Sequence, residues 1–228
     1  MLKTDELYYD GNSQGAILGG PIVATSTEIR RAVLGEAGMN YALLLDRSVD
    51  FDEYLQAVFE PSYPVREDRL LLLAMISVLW DRGETDGYAQ HLTDHPYPGT
   101  PKHRVLLLGA VGDHQVTEYS LRVEARTAGI PARTPLAASG RVADGPWRLG
   151  ELDDDSTGSG YVLVDTGSPS SPVGNEPSRE GHDPHDDTPN VPEVQRLKAA
   201  FMKADGRVVD VCGSGRPCVF PVPAANAD

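Results

Sequence analysis

A serine lies between two glycines in Gly11-Asn12-Ser13-Gln14-Gly15, after the apolar stretch Leu7-Tyr8-Tyr9 and before Ala16-Ile17-Leu18-Gly19-Gly20. The order reads strand, tight turn, helix, the setting in which a serine hydroxyl is presented as a nucleophile on a strained turn. Glycines two positions to either side leave room for the helix to cross close to the strand. Ser13 is therefore the candidate nucleophile. A hydroxyl becomes reactive only when an imidazole removes its proton, and that imidazole must be oriented by a carboxylate. Asp113 supplies the carboxylate in Gly109-Ala110-Val111-Gly112-Asp113-His114-Gln115-Val116, directly after the clearest strand of the chain. The imidazole comes from Gly181-His182-Asp183-Pro184-His185-Asp186-Asp187, in a long loop after a later strand.

Each assignment has a competitor. Asp113 could cap the helix that follows it, a role that aspartate fills well. Glu36, just after the second strand, is a competing orienting acid. His114 adjoins Asp113, and because neighbouring side chains diverge it reads as structural or solvent-exposed. His182 is the alternative base to His185. The histidines and aspartates of residues 182–187 are also a possible ligand set for a divalent ion, which would make His182 and His185 part of a metal-binding module. Cys212 and Cys218 flank a Gly- and Pro-containing turn and are read either as a disulfide or as two free thiols. Pairing would favour an oxidising, extracytoplasmic or secreted setting.

With 34 acidic against 20 basic side chains and a formal charge of -14, the chain would repel a phosphate backbone, so nucleic acid is disfavoured as a partner. The longest apolar run, Leu70 to Trp80, is too short to span a membrane and is bounded by Arg69 and Asp81. It reads as a buried or amphipathic helix. Residues Met1 to Glu6 contain no apolar core of a secretory leader.

The elements that must position these residues alternate between strand and helix. Strands are expected at Leu7–Tyr9, Arg31–Gly35, His103–Gly109 and Tyr161–Val164, and helices over Ala16–Glu28, Arg66–Trp80, Val116–Ala128 and Glu193–Ala204. Another helix, through Tyr54, Leu55, Val58 and Phe59, is expected to end at Pro61 and Pro64. The alternation argues for an α/β fold with a parallel sheet, at whose strand C-termini active groups collect. The segment 165–192 is rich in Pro, Gly, Ser and Asp, and a loop of that length is commonly functional.

The stretches Leu7–Gly15 and Gly109–Val116, with His185 followed by Pro192, resemble the α/β-hydrolase superfamily, in particular its bacterial esterase and lipase-like serine hydrolases. The chain order Ser, Asp, His is the order of that superfamily. The resemblance covers the C-terminal portion of the fold, from the nucleophile onward. It implies that the four expected strands are the family's strands five to eight, that 50–92 is a helical cap inserted after strand six, and that 165–192 carries the catalytic histidine. In the family that histidine precedes a proline-started closing helix, which favours His185 over His182. The implied activity is cleavage of small-molecule or lipid carboxylic esters through an acyl-enzyme, without a cofactor. Tyr54, Phe59 and Trp80 would be candidate pocket walls.

The family's strands one to four, and the loop after strand three that donates an oxyanion-hole N–H, have no counterpart in this sequence. Met1 would then be an internal methionine of a longer protein or the start of a truncated product. The Gln14 backbone N–H is left as the oxyanion donor. Loss of one donor costs about 100- to 1,000-fold in rate, so the chain by itself is expected to be weakly active or inactive. The corresponding non-enzymatic expectation is a truncated half-domain that binds a partner through its exposed sheet edge.

Overall fold

A computed structural model of the chain describes residues 6–143 and 148–222; residues 1–5, which bear most of the leader reading, lie outside them. Five parallel strands lie in the order of the sequence: β1 (Tyr8–Asn12), β2 (Arg31–Gly35), β3 (Arg104–Ala110), β4 (Gly160–Asp165) and β5 (Cys218–Val219). Between them run α1 (Gln14–Ile17) and α2 (Gly19–Thr25) after β1, α3 (Arg66–Trp80) between β2 and β3, α4 (Glu118–Thr127) after β3, and α5 (Pro192–Phe201) after β4. This is an α/β fold.

Strand alternation sorts the apolar side chains into two cores. Ala32, Leu34, Val105, Leu107, Tyr161 and Leu163 point to one face, where they meet Ala16, Val23 and Ala24 of α1 and α2 and Leu121 and Ala125 of α4. Their neighbours Val33, Leu106, Leu108, Val162 and Val164 point to the other face, against Val194, Leu197 and Phe201 of α5. Strands covered on both sides need apolar residues at consecutive positions, which is why β3 reads as an unbroken run. Every residue of β2 and β4 is buried. β1 is less so and, among the described residues, pairs with β2 alone.

Several expected elements are shorter or different. The helix expected over Ala16–Glu28 is divided at Leu18 and ends at Thr25. In the 50–92 segment the helical run from Asp52 continues past Pro61 to Ser62 and includes a π-turn at Leu55–Phe59. Helix α3 has the expected bounds but is not a buried helix: Leu73 is its one buried residue, and Leu71, Met75, Val78 and Leu79 are 61–75% exposed. Trp80 packs edge-on against Tyr41 at 5.5 Å, while Tyr54 and Phe59 both contact the buried Phe51. β5 was not expected from the sequence. It starts at Cys218, which is bonded to Cys212 with the two Cα atoms 4.8 Å apart. Among the described residues no helix is long and apolar enough to cross a membrane.

Candidate active site

The parallel order places the ends of β1, β2, β3 and β4 along one edge of the sheet, followed in turn by Ser13, Glu36, the Asp113 turn and the loop of His185. Ser13 sits between β1 and α1 with φ 56° and ψ -128°. A non-glycine residue there is strained by about 1–3 kcal/mol and stays only where its surroundings fix it. The fixing bonds are present. Ser13 N–H donates to the Gly35 carbonyl at 2.8 Å, and the Ser13 carbonyl accepts from Ala16 and Ile17 N–H at 2.8 and 3.1 Å.

The two flanking glycines are not equivalent. A Cβ on Gly11 would run into the Gly15 carbonyl, so close crossing of helix and strand requires glycine at 11. At Gly15 a Cβ would meet open space, contrary to the symmetric role expected from the sequence. What position 15 contributes is its carbonyl, which accepts from the Tyr9 hydroxyl at 2.6 Å. Gln14 N–H, the first amide after the serine, makes no hydrogen bond among the described residues.

Asp113 is fully buried two strands away, about 10 Å along the sheet at the usual strand spacing. Its Oδ1 accepts from the backbone N–H groups of Gln115 and Val116, both at 2.8 Å. Those bonds close a turn and do not cap α4; the cap is Thr117, whose hydroxyl accepts from Tyr119 N–H. The remaining capacity of Asp113 goes to His185, whose Nδ1 lies 2.9 Å from Oδ2 and 3.1 Å from Oδ1. This pairing calls for the Nδ1–H tautomer and leaves Nε2 as the ring's acceptor. Nε2 has no hydrogen bond and is not among the sealed polar atoms, although the His185 residue is only 4% exposed. It is not hydrogen-bonded to Ser13 Oγ. In unliganded sites such bonds are often long and tighten when substrate binds.

Burial opposes charging of His185, but the hydrogen bond and charge of Asp113, helped by Asp183 and Asp186, outweigh it and raise the imidazole pKa above its ordinary value. His182 is placed differently: its Nε2 lies 3.0 Å from Asp187 on a more exposed part of the loop. The two histidines thus serve different carboxylates, and among the described residues no group of three or more His, Cys, Asp or Glu side chains could hold a metal ion. His114 is 8% exposed, so of the two readings for it the buried, structural one describes its place.

Three residues of the site had no assigned or only a competing role in the sequence. Asp183 ties the histidine loop to the Asp113 turn: Oδ1 accepts from His114 N–H at 3.2 Å and His185 N–H at 3.1 Å, and Oδ2 accepts from the Gln115 side chain at 2.9 Å. Gly112 lets the same loop approach, since at φ +82° a Cβ would strike the Pro169 carbonyl. Glu36, at φ 48°, is 1% exposed, and its Oε2 accepts from Ala110 N–H at 3.0 Å. Glu36 thus joins the end of β2 to the end of β3, beside the Asp113–His185 pair and not in place of it.

No protein-family model, curated protein or solved structure matches the chain. Function must then be argued from the geometry of these residues.

Proposed function

We propose that the chain is a serine hydrolase of the α/β-hydrolase type, related in design to bacterial esterases, that cleaves carboxylic esters through an acyl-enzyme. The observation that carries this reading is the combination of a strained Ser13 at the end of β1 with a buried Asp113–His185 pair whose Nε2 is left open. A structural serine does not need φ 56°, and the open Nε2 of His185, unlike the unpartnered Nε2 atoms of His103 and His114, is not sealed from solvent.

In the proposed reaction Ser13 Oγ attacks the ester carbonyl carbon while His185 Nε2 takes the hydroxyl proton. Asp113 holds the imidazolium that forms. The oxyanion is met by Gln14 N–H at the start of α1. Collapse of the tetrahedral intermediate expels the alcohol, which leaves with the proton from His185, and Ser13 stays acylated. Water, deprotonated by His185, then releases the acid and restores the serine. The segment 50–92 contributes the cap, and its aromatic residues Tyr54, Phe59 and Trp80 are the proposed contacts of the acyl or alcohol group.

The test is pre-steady-state hydrolysis of p-nitrophenyl esters of short and medium acyl chains. A burst of nitrophenolate equal to the enzyme concentration, absent in Ser13→Ala, supports acylation at that serine. Turnover by Ser13→Ala at the rate of the unmodified chain would remove the reading.

A further inference from the structure

Glu36 is a buried group of the site that the proposed reaction does not use. A glutamate at φ 48° is held there against its own backbone preference, and its carboxyl is sealed from water at the end of β2. Only one of its oxygens, Oε2, is accounted for, by Ala110 N–H; Oε1 is a buried atom with no hydrogen bond, and so is Thr188 Oγ1 nearby. The carboxyl lies against Asp113, a second sealed carboxyl, and it is Asp113 that is paired with the imidazole of His185. Two adjacent carboxyls sealed from water repel each other when both are charged, and the neutral imidazole that serves as base does not offset both charges, which favours a proton on one of them.

The hydrogen-bond partners say which one. Asp113 accepts from two backbone N–H groups and an imidazole N–H, so these three hydrogen-bond partners are donors and suit a carboxylate. Glu36 has one hydrogen-bonded donor, Ala110 N–H; the Thr188 hydroxyl near it favours the charged form, but its other oxygen is unpartnered and its neighbouring carboxyl is Asp113, which together suit a carboxylic acid. The remaining charged or titratable groups around the pair are Asp183 and Asp186 on the histidine loop and Asp50 on the segment packed against it. Glu118 and Arg122 approach from α4 and Tyr161 from β4. Arg122 is committed to Glu118 and to the Ala143 carbonyl, and so provides no separate counter-charge for Glu36.

Resting on the hydrolase reading for its catalytic consequence, we infer that Glu36 is a positioning residue that keeps its proton on Oε1 and donates it to the Asp113 carboxylate, bracing that carboxylate in addition to His185. Burial and the adjacent Asp113 charge both push the Glu36 pKa well up. A neutral donor on Asp113 also limits how strongly Asp113 holds the proton on His185, and so keeps the base available near neutral pH.

The experiment compares Glu36→Gln, Glu36→Ala and Asp113→Asn. His185 titration is followed by NMR, and Ser13 labelling by a fluorophosphonate is followed as a function of pH. The Gln amide still donates to Asp113 and accepts from Ala110 N–H, so Glu36→Gln should leave the His185 midpoint and the acid limb of labelling in place. Glu36→Ala removes the donor; the midpoint should rise and labelling slow by about 10- to 100-fold, the effect of one charge-assisted hydrogen bond. If Glu36 were ionised, Glu36→Gln would delete a negative charge and lower the His185 midpoint. That result, or a Glu36→Gln defect as severe as Asp113→Asn, would overturn the inference.

Should Glu36→Ala fail to fold, 13C NMR of labelled glutamate carboxyls in the full chain decides. A resonance that stays in its protonated position at neutral pH and vanishes in Glu36→Gln supports the proton on Glu36; its titration near 4.5 refutes it. The NMR readouts need no catalysis. Unlabelled Ser13 with a protonated Glu36 would therefore count against the hydrolase reading alone.

Discussion

Glu124 on α4 is fully buried, neither of its carboxyl oxygens has a hydrogen bond, and its pKa is pushed up from 4.5 to about 8, first by burial and then by the nearby Glu84. The folded chain therefore holds this proton more tightly than the unfolded chain does. The stabilisation is fully present below pH 4.5 and is lost as pH rises through about 8. At about 1.4 kcal/mol for each unit separating the two values, the whole loss is about 5 kcal/mol, of which about 4 kcal/mol falls between pH 5 and pH 8.5. Urea denaturation at a series of pH values should show unfolding free energy falling across that window, and Glu124→Gln should flatten the fall by most of that amount. The variant will keep some slope, because Glu84, raised to about 7, and Glu36 act in the same direction. Absolute stability of the variant is not the readout, since a buried amide has its own unmet hydrogen bonds. Parallel curves for the two proteins would refute the assignment of the proton to Glu124.

Because His185 must be neutral to act as base and its pKa lies above 6.5, the acid limb of kcat/KM for ester hydrolysis should have its midpoint above pH 6.5; a midpoint below it would contradict the Asp113 pairing. Asp113→Asn and His185→Ala should each be severe and together far less than additive, with His182→Ala mild, as steady-state kinetics of the single and double variants will show. Asp183→Ala leaves three donors unpaired and should cost about 2–4 kcal/mol in urea denaturation and slow Ser13 labelling, whereas Asp183→Asn, which keeps an acceptor oxygen on the two N–H groups, should be much milder. Reducing the Cys212–Cys218 bond, which closes a loop of sequence separation 6, should lower stability by about 2 kcal/mol, read as a shift of the urea midpoint under reducing conditions.

The buried strands were legible because they leave little choice. β2, β3 and β4 are short apolar runs bounded by turn residues, and a parallel sheet covered on both faces demands that pattern. Helix α3 was legible in extent, since its apolar residues have no helix breaker among them, but not in exposure. An apolar run records what could be buried, and only the neighbours decide whether it is. β5 is two residues long and pairs with β4 at Val164 and Asp165 alone, which leaves no periodicity to detect.

In the site, Ser13, Asp113 and His185 could be placed because each follows a recognisable strand. The join between Asp113 and His185 could not be read, because it spans a loop whose path depends on Gly112, Pro169 and the three bonds of Asp183. For Glu36 a signal was present in Leu34-Gly35-Glu36, an acid at the C-terminal end of a fully apolar strand, and its place beside Asp113 follows from the parallel order of β2 and β3.

The central claim is that Ser13 is an activated nucleophile, and a fluorophosphonate tests it most directly because the probe reacts with a serine whose proton an imidazole can take. Labelling followed by peptide mass spectrometry should place the phosphonate on the peptide carrying Ser13, with labelling lost in Ser13→Ala and strongly slowed in His185→Ala. No modification of the folded chain, or an equal yield of labelling in Ser13→Ala, would contradict it.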